Sequence, residues 1–291
     1  MLRPFIQLDV FTSVPMFGNP LAVVLDANGL SSEAMQQFAC WTNLSETTFV
    51  LPTNAPQASY RVRIFTPMAE LPFAGHPSVG TAWALVDAGL VKPVQGRLIQ
   101  ECAAGLLEVA VSGKGNERVV SVQAPRALRS ALSPELVEAL ARTLGACGAP
   151  AAERPILADV GARWILVELN SRTAVRALVP DFDALARLSV AARAEGVAVF
   201  SFDPAQEIPL ELRAFAPATG VPEDPVTGSA HAAVGDWLNS QRRLSSLDGR
   251  YRASQGHAVG RKGDVEVNSD SVGRIHIGGR CCVLIRGAVD L

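Results

Sequence analysis

An internal echo constrains this chain more than any other feature. Residues 63–67 read Arg-Ile-Phe-Thr-Pro and residues 213–217 read Arg-Ala-Phe-Ala-Pro, an offset of 150 (213 − 63), and Pro72 matches Pro222 at the same offset. Each copy runs through a Gly/Pro loop into a segment of small apolar residues, Ser78 to Leu90 in the first and Gly228 to Leu238 in the second. A strand, a loop and an apolar helix repeated in that order predict a duplicated fold. Both helices are apolar nearly all round, and their Ala and Gly residues permit close approach. Such a helix belongs inside a domain, wrapped by strands. The expected class is therefore α+β, with two pseudo-symmetric lobes, each a curved, mostly antiparallel sheet around a central apolar helix.

The chain's 291 residues suit two cores of about 100–150 residues each. Phe5 to Phe11 alternates as a strand, residues 13–20 form a turn-rich loop, and Leu21 to Leu25 is a second strand. Ser31 and Ser32 offer N-caps with Glu33 in the first turn, and Met35, Phe38, Ala39 and Thr42 follow at helical spacing, which predicts a helix over 32–42. Leu44 to Leu51 and Tyr60 to Phe65 return to strand. The polar, glycine-rich stretch Gly113 to Arg118 marks a lobe boundary, giving a first lobe over 1–117, completed by 279–291, and a second over 118–278. A surface helix is expected near 134–144. The apolar strand Arg280 to Val289 is expected to return to the first lobe.

Composition excludes several function classes. With 48% hydrophobic and 19% charged residues and a net charge of −2, a sizeable core is available and disorder is not expected. The basic residues are scattered, with no stripe to track a phosphate backbone, so no nucleic-acid partner is expected. No apolar run is long enough to span a membrane. The N-terminus reads as a first strand, without a signal peptide's apolar stretch, so a cytoplasmic location is expected. The five cysteines, Cys40, Cys102, Cys147, Cys281 and Cys282, show no metal-ligand spacing and read as free thiols. No G-x-S-x-G nucleophile elbow or phosphate-binding glycine loop occurs.

The chemistry is expected where the two loops feed the central helices. Helix starts carry unpaired N–H groups and partial positive charge, and small residues let a ligand reach them. The loops 73–78 and 223–229 would each present such an end to a cleft between lobes, so a small carboxylate-bearing substrate is the natural ligand. Gly75, Ser78, Thr227 and Gly228 are the expected binding positions. The alternative is that both loops are tight turns capped by Ser78 and Ser229. His76, Asp224, Glu46 and Glu223 are the titratable candidates. Spacing alone equally allows a structural His76, a loop-capping Asp224 and a solvated Glu46 at the start of a strand.

At these residues the chain resembles a known family. The segments DVFTSVPMFGNPLAVVLDA, NLSETTFV, RIFTPMAELPFAGHPSVGTA, RAFAPATGVPEDPVTGSA and QGHAVGR, in that order from residue 9 to 261, are similar to the PhzF-like (phenazine-biosynthesis F) family within the diaminopimelate-epimerase-like fold. The resemblance implies a homodimeric isomerase with its site between two lobes, and neither metal nor organic cofactor. It places the catalytic glutamate at Glu46, the histidine at His76, and the aspartate and serine at Asp224 and Ser229. It also implies a pocket lined by Gln255, Gly256 and Arg261. Relatives that epimerise amino acids use one cysteine from each lobe. At the 150-residue offset Ala74 pairs with Asp224, about where those thiols would sit, and no cysteine lies in either loop. A two-thiol mechanism is unsupported, and a suprafacial proton shift by one carboxylate is favoured. Glu46 is then the base, its pKa expected to be raised by apolar neighbours. The founding activity of the family is isomerisation of trans-2,3-dihydro-3-hydroxyanthranilate. The other readings are a two-carboxylate epimerase and a non-catalytic metabolite-binding protein.

Overall fold

A computed structural model describes residues 1–145 and 154–291. The chain divides into two compact units, one formed by Met1–Gln123 with Gly278–Leu291 and the other by Ala124–Ile277.

In the first unit β1 (Leu2–Val10) is antiparallel to β2 (Asn19–Val24), which runs parallel to β3 (Glu46–Leu51). Strand β3 is antiparallel to β4 (Tyr60–Phe65), and β4 pairs with the short β5 (Glu70–Leu71) and, in parallel, with β6 (Arg97–Cys102). Strands β7 (Gly105–Ser112) and β8 (Val119–Gln123) continue the sheet in antiparallel fashion. Side chains alternate across β3, and this divides the unit into two packing layers. On one side Phe49 joins Val24 and Phe65 against helix α1 (Ser32–Thr42), which contributes Met35, Phe38 and Ala39. Ser31 caps α1 by accepting the Ala34 N–H, and Asn43 ends it in the left-handed conformation, φ 52°.

On the other side lies α2 (Gly75–Asp87), buried continuously from His76 to Leu85 and packed against β1, β2, β3 and β8. Gly80 makes that packing possible. A Cβ there would lie 2.5 Å from Leu21 Cδ2 and 2.7 Å from Val10 Cγ2. The helix begins three residues before the predicted Ser78 because Pro77 falls in its first turn, where a missing N–H costs nothing.

The second unit repeats the pattern. Strand β9 (Leu128–Ala131) is antiparallel to β10 (Ile156–Asp159), and β10 to β11 (Arg163–Glu168). Strand β11 is parallel to β12 (Gly196–Phe202), which is antiparallel to β13 (Leu210–Ala216). Strand β13 then pairs with β14 (Val221–Asp224) and, in parallel, with β15 (Arg250–Gln255), which is antiparallel to β16 (Gly263–Ser269). Helices α3 (Pro134–Leu144), α4 (Arg172–Ala177) and α5 (Phe182–Ala192) enclose one apolar layer around Leu140, Ile165, Val175, Leu185, Val199 and Phe215. The opposite layer holds α6 (Gly228–Ser240), which packs against β10, β11 and β16. Phe200 of β12 meets Trp237 of α6 edge-on, ring centroids 5.7 Å apart. After β17 (Ile275–Gly279), β18 (Cys281–Asp290) returns to the first unit as the antiparallel neighbour of β1.

The two-lobed α+β architecture expected from the repeat is present, and the duplication runs further than the four matched residues. Helices α1 and α5 start 150 apart (182 − 32). Both end on a left-handed residue, Asn43 and Arg193. Strands β3 and β12 begin at Glu46 and Gly196 with the same offset. The matched Arg-x-Phe segments are packing devices. The guanidinium of Arg63 grips Glu70 with two bonds of 2.7 and 2.6 Å and lies 5.0 Å from the Phe65 centroid. Arg213 grips Glu223 at 2.9 and 2.8 Å and lies 4.9 Å from that of Phe215. Residues i and i+2 share a face of a strand, which is why the motif skips one position.

Cys40, Cys102, Cys281 and Cys282 are free thiols, and Cys147 lies outside the described residues.

Candidate active site

Glu46 opens β3 immediately after the left-handed turn that ends α1. Its side chain points to the α2 face, as does that of Thr48 two residues on. Thr48 accepts a hydrogen bond from Thr81 of α2 at 2.9 Å and donates to the Ala22 carbonyl. This bond sets the register between strand and helix. Two strand residues span about 6.6 Å and the five helical steps from Thr81 back to His76 span about 7.5 Å. Glu46 therefore arrives at the helix start, where its Oε2 lies 3.4 Å from His76 Nδ1.

His76 is 6% exposed. Burial pushes its pKa down to about 3, with the Pro20 carbonyl beside it pulling weakly the other way. The contact would be an ion pair if the imidazole were charged, but at neutral pH it is a carboxyl group against a neutral ring. A neutral imidazole has one donor and one acceptor nitrogen, so it can pass hydrogen-bond polarity along without net charge. Ala74, the N-cap residue of α2, makes no side-chain cap bond, and around Gly75 a Cβ would meet nothing within 4 Å. The space beside this helix start is therefore open at Gly75. Ser78 is committed inward. Its hydroxyl donates to the Ala74 carbonyl at 2.8 Å and accepts from Gln100 at 2.9 Å, and Tyr60 donates to Gln100 in turn.

In the second unit Asp224 ends β14 and Thr227 is the N-cap residue of α6, which no side-chain bond of its own caps. The loop is tied to β15 by Gln255, which is fully buried. Its Oε1 accepts the Thr227 N–H at 2.9 Å, while its Nε2 donates to the Asp224 carbonyl at 2.8 Å and to Thr227 Oγ1 at 2.9 Å. Thr227 Oγ1 donates to Asp224 Oδ2 at 2.5 Å. Ser229, half-buried, accepts from Trp164 Nε1 at 3.0 Å, which leaves its own proton to donate elsewhere. Gly256 has φ 94°, and a Cβ there would lie 2.6 Å from the Pro225 carbonyl and 2.7 Å from Arg261 Cβ. Gly256 and Arg261 thus form the tight turn that backs the Asp224 loop, closed by Arg261 N–H on the Gly256 carbonyl. His231, one turn into α6, is fully buried, and burial pushes its pKa down to about 4.

Glu46, His76, Gly75 and Ser78 thus gather in the first unit, and Asp224, Thr227, Gly228, Ser229, Gln255, Gly256 and Arg261 in the second. The sequence offset needs one correction. The central helices start 153 apart (228 − 75), because three extra residues enter between β13 and α6. The N-cap residues Ala74 and Thr227 are equivalent, and Asp224 sits earlier, at the end of β14. The position that a second thiol would take is therefore Thr227. Thr48, Thr81, Gln100 and His231 were not singled out from sequence. Their signal is a buried polar group needing a partner, which appears only once burial is known. Among the described residues no group of three or more His, Cys, Asp or Glu could hold a metal, and no helix is long and apolar enough to cross a membrane.

The profile of the PhzC-PhzF family, described as phenazine biosynthesis-like protein, matches residues 8–287. The chain is 38% identical over 97% of each chain to Antisense-enhancing sequence 1 of Schizosaccharomyces pombe. It is 35% identical, over 94% of this chain and 92% of the relative, to trans-2,3-dihydro-3-hydroxyanthranilate isomerase of Pseudomonas aeruginosa. The crystal structure of a Bacillus anthracis PhzF-family phenazine biosynthesis protein covers all of both chains with a TM-score of 0.85 at 24% identity. A probable proline racemase from Agrobacterium radiobacter shares the fold at a TM-score of 0.67 and 14% identity, over 100% of this chain and 93% of that one. Matched across nearly its whole length, the chain belongs to the phenazine biosynthesis-like (PhzC-PhzF) family and, like those relatives there that are named for a reaction, is an isomerase.

Proposed function

We propose that this isomerase shifts a proton along the ring of a small cyclic carboxylate of the trans-2,3-dihydro-3-hydroxyanthranilate type, with Glu46 as the single base that removes and returns it. The observation that carries this reading is the Glu46 carboxylate, 3.4 Å from a buried neutral His76 at the start of α2. A carboxylate held at the edge of an apolar layer can both accept and return a proton in one active-site visit. His76 would orient Glu46 and contact the substrate's ring substituent. Asp224, an acceptor when ionised, suits an amino or hydroxyl group. The N–H groups at the start of α2 would hold the substrate carboxylate and stabilise the charge that spreads into it as the C–H bond breaks, and in the second unit Ser229 and the start of α6 offer donors of the same kind. The relatives of P. aeruginosa and P. chlororaphis, 35% and 33% identical, are named for this reaction.

The test is Glu46→Gln assayed on trans-2,3-dihydro-3-hydroxyanthranilate in deuterium oxide. Turnover should fall at least 10²–10⁴-fold, roughly the scale of one general acid–base group, while the affinity for 3-hydroxyanthranilate changes little. Activity equal to the native enzyme removes Glu46 from the mechanism. Solvent deuterium entering a retained stereocentre, with no double-bond movement, would instead identify an epimerase.

A further inference from the structure

Thr227 and Gln255 use nearly all their hydrogen-bonding capacity on each other and on Asp224. We infer that they form a buried relay, Gln255 to Thr227 to Asp224, which turns the Asp224 carboxylate and holds it ionised, and that both are positioning residues acting through Asp224. This rests on the role given to Asp224 above. A threonine hydroxyl has one hydrogen and two lone pairs. Because Gln255 Nε2 donates to Thr227 Oγ1 at 2.9 Å, one lone pair is filled, and the single hydrogen goes to Asp224 Oδ2 at 2.5 Å. Gln255 cannot turn its amide round. Its Oε1 accepts the Thr227 N–H and its other Nε2 hydrogen lies on the Asp224 carbonyl. The direction of the relay is thus fixed by backbone groups at both ends, in a setting where Gln255 is fully buried and Thr227 is 6% exposed. A hydrogen bond donated to the charged form of an acid favours that form.

The first unit supplies an internal comparison. There Gln100 of β6, also fully buried, serves Ser78, whose hydroxyl ends on the Ala74 carbonyl. That chain only fastens the helix start to the sheet. In the register with the neighbouring parallel strand Gln255 sits two residues further along than Gln100, since Tyr60 faces Gln100 while Leu210 faces Ala253. Two residues, about 6.6 Å along a strand, match the step of one helical turn from the Ser78 level back to the N-cap. The glutamine thereby reaches Thr227, and through it a carboxylate in place of a carbonyl. The charged and titratable neighbours on the packed elements are Glu223, gripped by Arg213, His231, beside Gln255, and Arg261, in the Gly256 turn.

The experiment follows the Asp224 carboxyl by carbon-detected NMR in protein labelled at the aspartate side chains, its signal assigned by loss in Asp224→Asn. Thr227→Val should raise its pKa by about one to two pH units, the equivalent of one hydrogen bond to a charged group. Thr227→Ser, which keeps the hydroxyl, should stay within about half a unit, and Gln255→Leu should move it in the same direction as Thr227→Val. Thr227→Ala replaces the valine variant if that protein does not fold. An Asp224 titration unmoved in Thr227→Val or Thr227→Ala overturns the relay. Turnover of trans-2,3-dihydro-3-hydroxyanthranilate gives the second arm. Thr227→Val should lose about tenfold to a hundredfold in kcat/KM alone, and nothing further when added to Asp224→Asn. An equal, multiplying loss in the double variant means that Thr227 acts on its own account and overturns the inference. If the native protein does not turn over this compound, the proposed substrate is wrong, while the titration still decides the relay.

Discussion

Acidification should destabilise this protein through its two buried histidines before its carboxylates matter. His76 and His231 have pKa values pushed by burial to about 3 and about 4 from an ordinary 6.5. Below 6.5 the unfolded chain binds a proton at each site and the native fold does not. The stability they supply is therefore complete above the unfolded value and is lost as pH falls toward the folded values. From about pH 7 to about pH 5, linkage gives a loss of about 2 kcal/mol for each histidine, about 4 together, a large share of a typical 5–15 kcal/mol. Ordinary carboxylates titrate below this window, so it isolates the imidazoles. Glu195, its carboxyl raised by partial desolvation, acts in the opposite direction, and a comparison of two proteins cancels it. The perturbation is His231→Gln, and the assay is urea unfolding followed by tryptophan fluorescence at several pH values between about 7 and 5. The native protein should lose close to two protons' worth of slope, about 2.5 kcal/mol per pH unit near the acid end, and the variant about half of that. The intercept will shift with the substitution, and only the slope is read. Equal slopes in the two proteins would refute the reasoning.

Other expectations follow from packing and charge. Gly80→Ala should cost about 1–3 kcal/mol, seen as a lower Tm, because the new methyl group meets Leu21 and Val10 in a layer with no room to shift. Arg213→Met should destabilise by about 3–5 kcal/mol, because it leaves Glu223, whose side chain is 5% exposed, as a buried charge without its guanidinium. The equivalent Arg63→Met should cost less than about 1 kcal/mol, since Arg63 and Glu70 are 21% and 34% exposed and water replaces the lost partner. Similar losses in the two variants, measured by urea midpoint, would contradict the burial argument.

Much of this architecture is legible in the sequence because local rules and the global fold agree. Helix 32–42 carries its cap at Ser31 and its apolar stripe in view, and Tyr60 to Phe65 alternates cleanly. The all-round apolar character of 78–90 and 228–238 marks both central helices. What the sequence hides is whatever depends on tertiary register. Pro77 reads as part of the loop 73–78 and in fact sits in the first turn of α2. The three residues gained before α6 change which positions of the two halves correspond, so a fixed offset pairs Ala74 with the wrong partner. Glu46 reads as a solvated strand start until the bond between Thr48 and Thr81 fixes how β3 lies on α2. Gln255 and Thr227 are recognisable as loop and strand residues, but their mutual bonds exist only in three dimensions.

The match between Glu46 and Gly196 limits how this duplicated architecture can be used. A side chain at Gly196 would run into the carbonyl oxygen of Phe215, so the later half cannot carry a carboxylate where the earlier half has one. Symmetry is thus broken by sterics at that point, and no single replacement at residue 196 can install a mirror-image base. Chemistry requiring acid–base groups on opposite faces would have to recruit its second group from elsewhere on the later half, and the N-cap of α6, occupied by Thr227, is the equivalent of Ala74 from which an engineer would begin.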